Sequence, residues 1–427
     1  MDYIKNKIKL LTTGENLREP DYFLFILVSM LIIVSIVFSY SLTIYTVEFL
    51  GYGQFHYILR QGLVGIFCIY LMWWMARLNP NKIMHRTGMT LFGVGLFLMV
   101  IMPFLPASLV TASGGANRWI RLPGISLSPV EIFKIGFIYF LSWSFFRKVI
   151  HQPKKGLFGD LLLLSPYFLV FIFIVFLIAV LQKDLGQVTL LTIIMLTLII
   201  FANRSLKIIF ALILIAIVGM IVLIAAAPHR INRIHSWWSM VQDGILSVLP
   251  STFEQYLRIK NLPEPYQVSH SLNAIHNGGF FGQGISFGDL KVGFLSEVHT
   301  DFVIAGITEE IGWLGIFFIT TILMLIILRI FAISRKVDSK IFHLFTTGIA
   351  LMIIVAFLIN GAGISGIIPI KGIAVPFLSY GGSSLITSSF AIGLVLSISR
   401  TVKKYEPQKT IIKEKPKRII IRWVKLL

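Results

Sequence analysis

Ten apolar runs of about twenty residues each leave this chain few ways to fold. A helix needs about 20 apolar residues to cross the roughly 30 Å of bilayer hydrocarbon. The runs lie near 22–45, 57–76, 84–105, 130–147, 160–181, 187–202, 206–227, 302–331, 342–366 and 374–399. Inside hydrocarbon every backbone N–H and C=O must be paired within the protein, so such runs become helices. The run at 187–202 is short, and the run at 302–331 is long enough to tilt. Composition agrees: 56% of residues are hydrophobic and 13% charged, and mean hydropathy is +0.85, whereas soluble domains carry about 25% charged residues. The expected fold class is an all-α polytopic membrane protein with about ten transmembrane helices.

Net charge is +19. On a soluble domain that would suggest nucleic acid. Here most of the basic residues fall in alternate connections: Lys5, Lys7, Lys9 and Arg18, then Arg77, Lys82 and Arg86, and so on to the tail after Arg400. The positive-inside rule accounts for that pattern, so no nucleic-acid partner is expected and both termini are expected in the cytoplasm. The even connections are then cytoplasmic and the odd ones outer, including a large loop at 228–301. The chain divides into a cytoplasmic segment 1–21, a membrane domain 22–400 and a basic tail 401–427. The tail either lies on an anionic leaflet or stays disordered. No small-residue cleavage site follows the first run, which is expected to be kept as a span. Cys68 is the single cysteine, so no internal disulfide can form.

The outer connections carry the unusual residues. A polar loop re-enters an apolar helix at Glu297-Val298-His299-Thr300-Asp301, and Glu309 and Glu310 follow inside the apolar run. Carboxylates in an apolar segment point to function by default. Asp301 has two readings, a helix N-cap and a general base at the membrane surface, the second needing a carboxylate raised toward neutrality. Nearby Glu297 and partial burial could supply that rise. His299 reads as a local hydrogen-bond partner rather than the base. Glu309 and Glu310 read as structural, paired with polar groups of a neighbouring helix; Glu131 and Lys134 of the fourth span match them in depth. A proton or ion path is the alternative. Arg118, Lys183, Lys291 and Lys371 return to the outer face from four loops, either as solvated charges or as an anion site suited to phosphate. Asp184 is a loop N-cap or a second acid of that site. Gly278, Gly279, Gly282 and Gly284 read as turn residues, or more sharply as a backbone anion nest. No G-x-x-x-x-G-K-[ST], no H-E-x-x-H and no cysteine pair is present, so no nucleotide or zinc chemistry is expected. These residues alone do not separate a transporter from an intramembrane transferase.

Several motifs together carry a resemblance. They are Gly115-Ala116-Asn117-Arg118-Trp119-Ile120, Ser128-Pro129-Val130-Glu131-Ile132-Phe133-Lys134, Gln182-Lys183-Asp184-Leu185-Gly186, Glu297-Val298-His299-Thr300-Asp301-Phe302, Glu309-Glu310-Ile311-Gly312 and Ser379-Tyr380-Gly381-Gly382-Ser383-Ser384. In this order the chain resembles the SEDS family (shape, elongation, division and sporulation), with Lys183 standing where that family usually has proline. Lys371-Gly372, Ser383-Ser384 and the run from Lys291 to Glu297 are more similar to the division branch than to the elongation branch.

The resemblance implies a peptidoglycan glycosyltransferase in the bacterial inner membrane, at the division septum. It would polymerise lipid II by inverting transfer, together with a class B penicillin-binding transpeptidase and other division proteins. Asp301 would remove the proton from the acceptor hydroxyl, tuned by Glu297, and Arg118, Lys183, Lys291 and Lys371 would steady the departing diphosphate. The lipid tails would lie among bilayer lipids. No cofactor would be required, although a divalent cation (magnesium or manganese) could assist. A lipid II flippase, an elongation polymerase and a scaffold without chemistry are the competing readings.

Overall fold

The computed structural model describes residues 17–402, apart from positions 107, 114–115, 123–124, 155, 203, 205, 248–249, 251–253, 255–256, 260–264, 290–294 and 296. The first half runs α1 (Tyr22–Ser41), α2 (Ile44–Leu50), α3 (His56–Met75), α4 (Pro80–Ile101), strands β1 (Val110–Ser113), β2 (Ala116–Leu122) and β3 (Ile125–Leu127), and α5 (Pro129–Lys148). Then follow α6 (Gly156–Val175), α7 (Leu185–Phe201), α8 (Leu206–Ala225), α9 (Pro228–Leu246), α10 (Tyr266–Gly278), α11 (Val303–Lys336), α12 (Lys340–Ile364) and α13 (Gly382–Ser399).

Nine of the described helices are long and apolar enough to cross a membrane, and α7 is a shorter apolar tenth. They match the ten runs in order. The outer connection between α4 and α5 folds into a small antiparallel sheet of order β1-β2-β3, an addition to an otherwise helical protein. Polar side chains start several helices. Asp21 accepts the Leu24 N–H at 3.0 Å and Asn79 accepts the Asn81 N–H at 3.0 Å, just ahead of Pro80. Each supplies an acceptor to an orphan first-turn donor.

The bundle is built around α5, α12 and α13, whose surfaces are mostly buried, while α8 stands at the rim with most of its surface exposed. Its exposed apolar surface is the kind that hydrocarbon, rather than water, solvates. Close approach replaces bulk where α4 meets α5. A Cβ added to Gly136 would strike the Phe92 backbone at 2.1 Å, the small-residue contact that membrane helices use to bring backbones together.

Helix α11 corrects an expectation. It does not simply tilt. Gly312 (φ 68°) breaks it, leaving a short buried piece before the long one. The freed backbone groups are paired by the glycine-rich turn: Gln283 N–H to Glu309 C=O at 3.0 Å, Gly284 N–H to Glu310 C=O at 2.9 Å, and Trp313 N–H to Gly279 C=O at 2.9 Å. Broken helices persist in membranes only where such partners exist. The turn thus serves backbone pairing. The side chains of Glu309 and Glu310 are fully buried here. Their observed partners are Asn277, donating Nδ2–H to Glu309 at 3.0 Å, and Ser41, donating to Glu310. The expected pairing with neighbouring helices is made, through α10 and α1 rather than α5. Glu131 and Lys134 instead pair with each other at 2.8 Å in the first turns of α5.

The final span also begins later than expected. Residues 374–381 are irregular and α13 starts only at Gly382. On the opposite face Asp21 pairs with Arg329 at 2.7 Å, and Arg400 donates Nε–H to the Arg18 carbonyl at 2.8 Å, tying the bundle's first and last segments together. The basic tail lies outside the described residues.

Candidate active site

A cavity of about 870 Å³ lies among the outer connections, lined by β2, α9, the 297–302 turn and the irregular stretch before α13. Asp301 is placed in it by its backbone. Glu297, at φ 56°, turns the chain so that its carbonyl accepts N–H bonds from Thr300, Asp301 and Phe302 at 3.1, 3.1 and 3.3 Å. From α12, Asn360 donates Nδ2–H both to the Asp301 carbonyl at 2.7 Å and to the Ile373 carbonyl at 2.8 Å. Ser379 donates to the Thr300 carbonyl at 2.7 Å. Three chain segments thereby fix one carboxylate. Helix α11 is capped at Phe302, with no side-chain cap bond, so the Asp301 side chain is not spent as an N-cap.

Arg118 reaches the site through an irregularity in its strand. Pairing steps from Thr111↔Trp119 to Ala112↔Asn117, which leaves Arg118 without an opposite residue. Bulges of this kind re-aim a side chain. Arg118 Nε lies 3.1 Å from Asp184 Oδ2. Asp184 is also the N-cap of α7, accepting the Gln187 N–H at 3.2 Å, and it lines the cavity. Gly372 (φ 62°) passes between the charges. A Cβ added there would sit 3.1 Å from Asp301 Oδ2 and 3.4 Å from Arg118 Nη1.

Burial pushes the Asp301 carboxyl up to about 6, with Glu297 and Asp184 adding to the rise while Arg118 and Arg233 oppose it. The tension between anion stabilisation and basicity thus ends on the side a base needs. Burial likewise raises Asp184 against the pull of Arg118. Lys371 is half-buried and is itself absent from the lining, although its neighbours Ile370 and Gly372 belong to it; burial lowers it, followed by repulsion from Arg233 and Arg230.

Of the residues anticipated from sequence, Asp301, Asp184, Arg118, Glu297 and Glu131 come together along the cavity wall. Lys183 does not: it is exposed, turned by its positive φ, and absent from the lining. Lys291 lies outside the described residues. His299 packs between the Tyr57 and Tyr380 rings, at centroid distances of 5.4 and 5.6 Å. Burial lowers its pKa. Its ring Nδ1 has no hydrogen-bond partner among the described residues, so the side-chain bond expected of it is not seen; its backbone carbonyl accepts the Tyr380 N–H at 2.8 Å.

Arg233 was missed. It lies on α9, lines the cavity and acts on Asp301. The signal was present in Pro228-His229-Arg230-Ile231-Asn232-Arg233, two arginines at a helical spacing of three just after the eighth helix. Arg230 anchors that helix by donating to the Ala179 and Leu223 carbonyls, and Trp237 donates Nε1–H to the Gly366 carbonyl at 2.7 Å.

Fold and site together define a multi-pass membrane protein with a carboxylate–arginine cavity at the outer ends of its helices. The chain belongs to the FtsW/RodA/SpoVE family of cell cycle proteins, whose model matches residues 21–404. It is 43% identical over 384 residues to the Helicobacter pylori protein named "Probable peptidoglycan glycosyltransferase FtsW", covering 90% of this chain and 99% of that one. It is 30% identical over 406 residues to the Bacillus subtilis protein of the same name, covering 92% and 94%. Its fold is similar to a chain in a structure describing polymerization and crosslinking by a peptidoglycan synthase complex, with TM-score 0.66 at 21% identity over 89% of this chain and 98% of that one. It is also similar to the Thermus thermophilus rod shape determining protein RodA, with TM-score 0.60 at 20% identity over 90% and 98%.

Proposed function

We propose that this protein is a peptidoglycan glycosyltransferase that polymerises lipid II at the outer face of the bacterial inner membrane during septal division, beside a class B transpeptidase. One observation carries the reading. Asp301 is a backbone-locked carboxylate held near neutrality in a cavity that also presents Arg118 and Arg233.

The groups take physical roles in this reaction. Asp301 accepts the proton of the acceptor sugar's 4-hydroxyl as that oxygen attacks the donor's anomeric carbon from the face opposite the leaving group. The anomeric C–O bond breaks, and its electron pair leaves on the diphosphate. Arg118 and Arg233, which line the cavity with Asp301, would face that charge, with Lys371 beside the lining residues Ile370 and Gly372, and fixed cations facing a developing charge lower the barrier. The energy resides in the diphosphate, which matches a chain without a nucleotide-binding loop. A magnesium or manganese ion could enter with the diphosphate as part of the substrate. Among the described residues no group of three or more His, Cys, Asp or Glu converges as a metal site, and no step is assigned to the ion. The working residues sit at one end of the bundle, which favours surface transfer over transport. A transferase also keeps the buried Glu309 and Glu310 in their structural role.

The test is polymerisation of lipid II by the purified protein with its transpeptidase, wild type against Asp301→Asn. Glycan strands from wild type and none from a folded variant are expected. Equal strand formation by both would remove Asp301 as the base.

A further inference from the structure

The glycine-rich turn that closes on α11 ends in an exposed apolar tip. Phe280, Phe281 and Phe287 are 60%, 76% and 77% exposed, and Trp313, which donates its N–H to the turn, is 56% exposed. The run from Asn277 to Gly288 holds no charged residue. Exposed apolar surface concentrated in this way marks a partner or a membrane. The turn's polar backbone faces the other way. Gly282 N–H donates to the Gly278 carbonyl at 2.7 Å and Phe287 N–H to the Gly284 carbonyl at 3.1 Å, beside the bonds made with Glu309, Glu310 and Trp313. The Phe280 carbonyl accepts the Leu314 N–H at 3.1 Å. A Cβ on Gly278 or Gly282 would strike the α11 backbone. The glycines thus lay the polar chain against α11, paired as a water-poor site requires, and turn the rings outward.

Depth decides what meets those rings. The Asp21–Arg329 pair at the opposite end of the bundle marks the inner edge of the hydrocarbon, since charges are costly within it. From Arg329 back to Trp313, α11 rises about 24 Å. From Asp21 to Ser41, α1 rises about 30 Å, the thickness of the hydrocarbon itself. Trp313 therefore lies about 6 Å inside the outer edge, and any tilt of α11 sets it deeper. Ser286, whose Oγ lies 3.2 Å from Ser41 Oγ, lies at that edge. Amphipathic elements that rest on a bilayer bury their apolar face about 5–10 Å at the headgroup–acyl boundary, which is the level of these rings. We infer that Phe280, Phe281 and Phe287, with Trp313, form a wedge that binds lipid at the outer headgroup–acyl boundary. Helix α10 begins in the cavity lining at Tyr266, Gln267 and Val268 and ends at Gly278. The wedge thereby tethers one wall of the cavity to the outer leaflet.

The test is nitroxide labelling of the full chain in vesicles of phosphatidylethanolamine and phosphatidylglycerol. Cys68, the single cysteine, is buried and is first replaced by Cys68→Ser. Phe281→Cys then carries the label. Phe317→Cys, one turn further along α11 and 62% exposed, is the lipid control. Asp243→Cys, at a side chain 75% exposed in the outer connection, is the water control. Power saturation compares collisions with oxygen, which partitions into lipid, and with a neutral nickel chelate, which stays in water. Oxygen should collide with the Phe281 label more often than the chelate does, as for Phe317, and the order should reverse at Asp243. If Phe281→Cys does not fold, Phe287→Cys serves with the same expectation. Chelate access at Phe281 equal to that at Asp243 would put the turn in water, and the inference falls. Protection from both reagents would mean that protein covers the tip, a second copy or another segment of the chain, and again it falls. The assay contains no lipid II, so none of these outcomes touches the polymerase reading.

Discussion

The raised Asp301 carboxyl has a cost that can be measured without any substrate. Its shift from 3.8 to about 6 corresponds to about 3 kcal/mol between protonation states at 1.36 kcal/mol per unit. The folded state holds this proton more tightly than the unfolded chain does. At neutral pH the ionised carboxylate therefore weakens the fold, and the penalty disappears as pH falls through about 6 toward the unfolded value near 3.8. Asparagine is a neutral isostere that cannot titrate. Thermal or denaturant unfolding of wild type and Asp301→Asn should be compared between pH 4 and pH 8, so that every other titrating group cancels. The stability difference should change by about 2.4 kcal/mol over that range, with Asp301→Asn gaining on wild type as pH rises. A difference that stays flat with pH would refute the claim that burial outweighs Arg118 and Arg233 at this side chain. A difference that runs the other way would show that the arginines win, and Asp301 would then be a poor base.

Turnover should follow the same group: wild-type polymerisation falls about tenfold per unit below pH 6 if the ionised form is the base. Arg233→Ala removes a cation that lowers Asp301, so the acid limb of the pH–rate profile should move to higher pH; an unmoved limb places Arg233 too far away to matter. Gly372→Ala puts a Cβ against both Asp301 and Arg118 and strains a positive φ by about 1 kcal/mol, so steady-state rates should drop at least about tenfold with little loss of melting temperature. Gly312→Ala would set a Cβ 2.4 Å from the Gly282 nitrogen at φ 68°, and the turn against α11 should come apart. Reduced yield and early proteolysis within 279–290 are expected, and a normal melt would refute the kink's structural role.

Sequence alone determined the number and order of the apolar helices, because apolar length acts locally and needs no partner. It could not say which of several outward cations turn toward one carboxylate. Lys183 and Arg118 look equivalent along the chain. A strand irregularity aims Arg118 inward, whereas a positive φ leaves Lys183 exposed. Arg233 enters only because α9 is anchored to the bundle through Arg230. The pairing of Glu309 and Glu310 depended on a kink at Gly312 that a hydropathy profile reads straight through. The acidity of Asp301 is likewise tertiary, since it balances desolvation and the neighbouring Glu297 against charges on three other segments, those of Arg118, Asp184 and Arg233. Such balances depend on distance in space, and a linear chain does not hold those distances until it is packed.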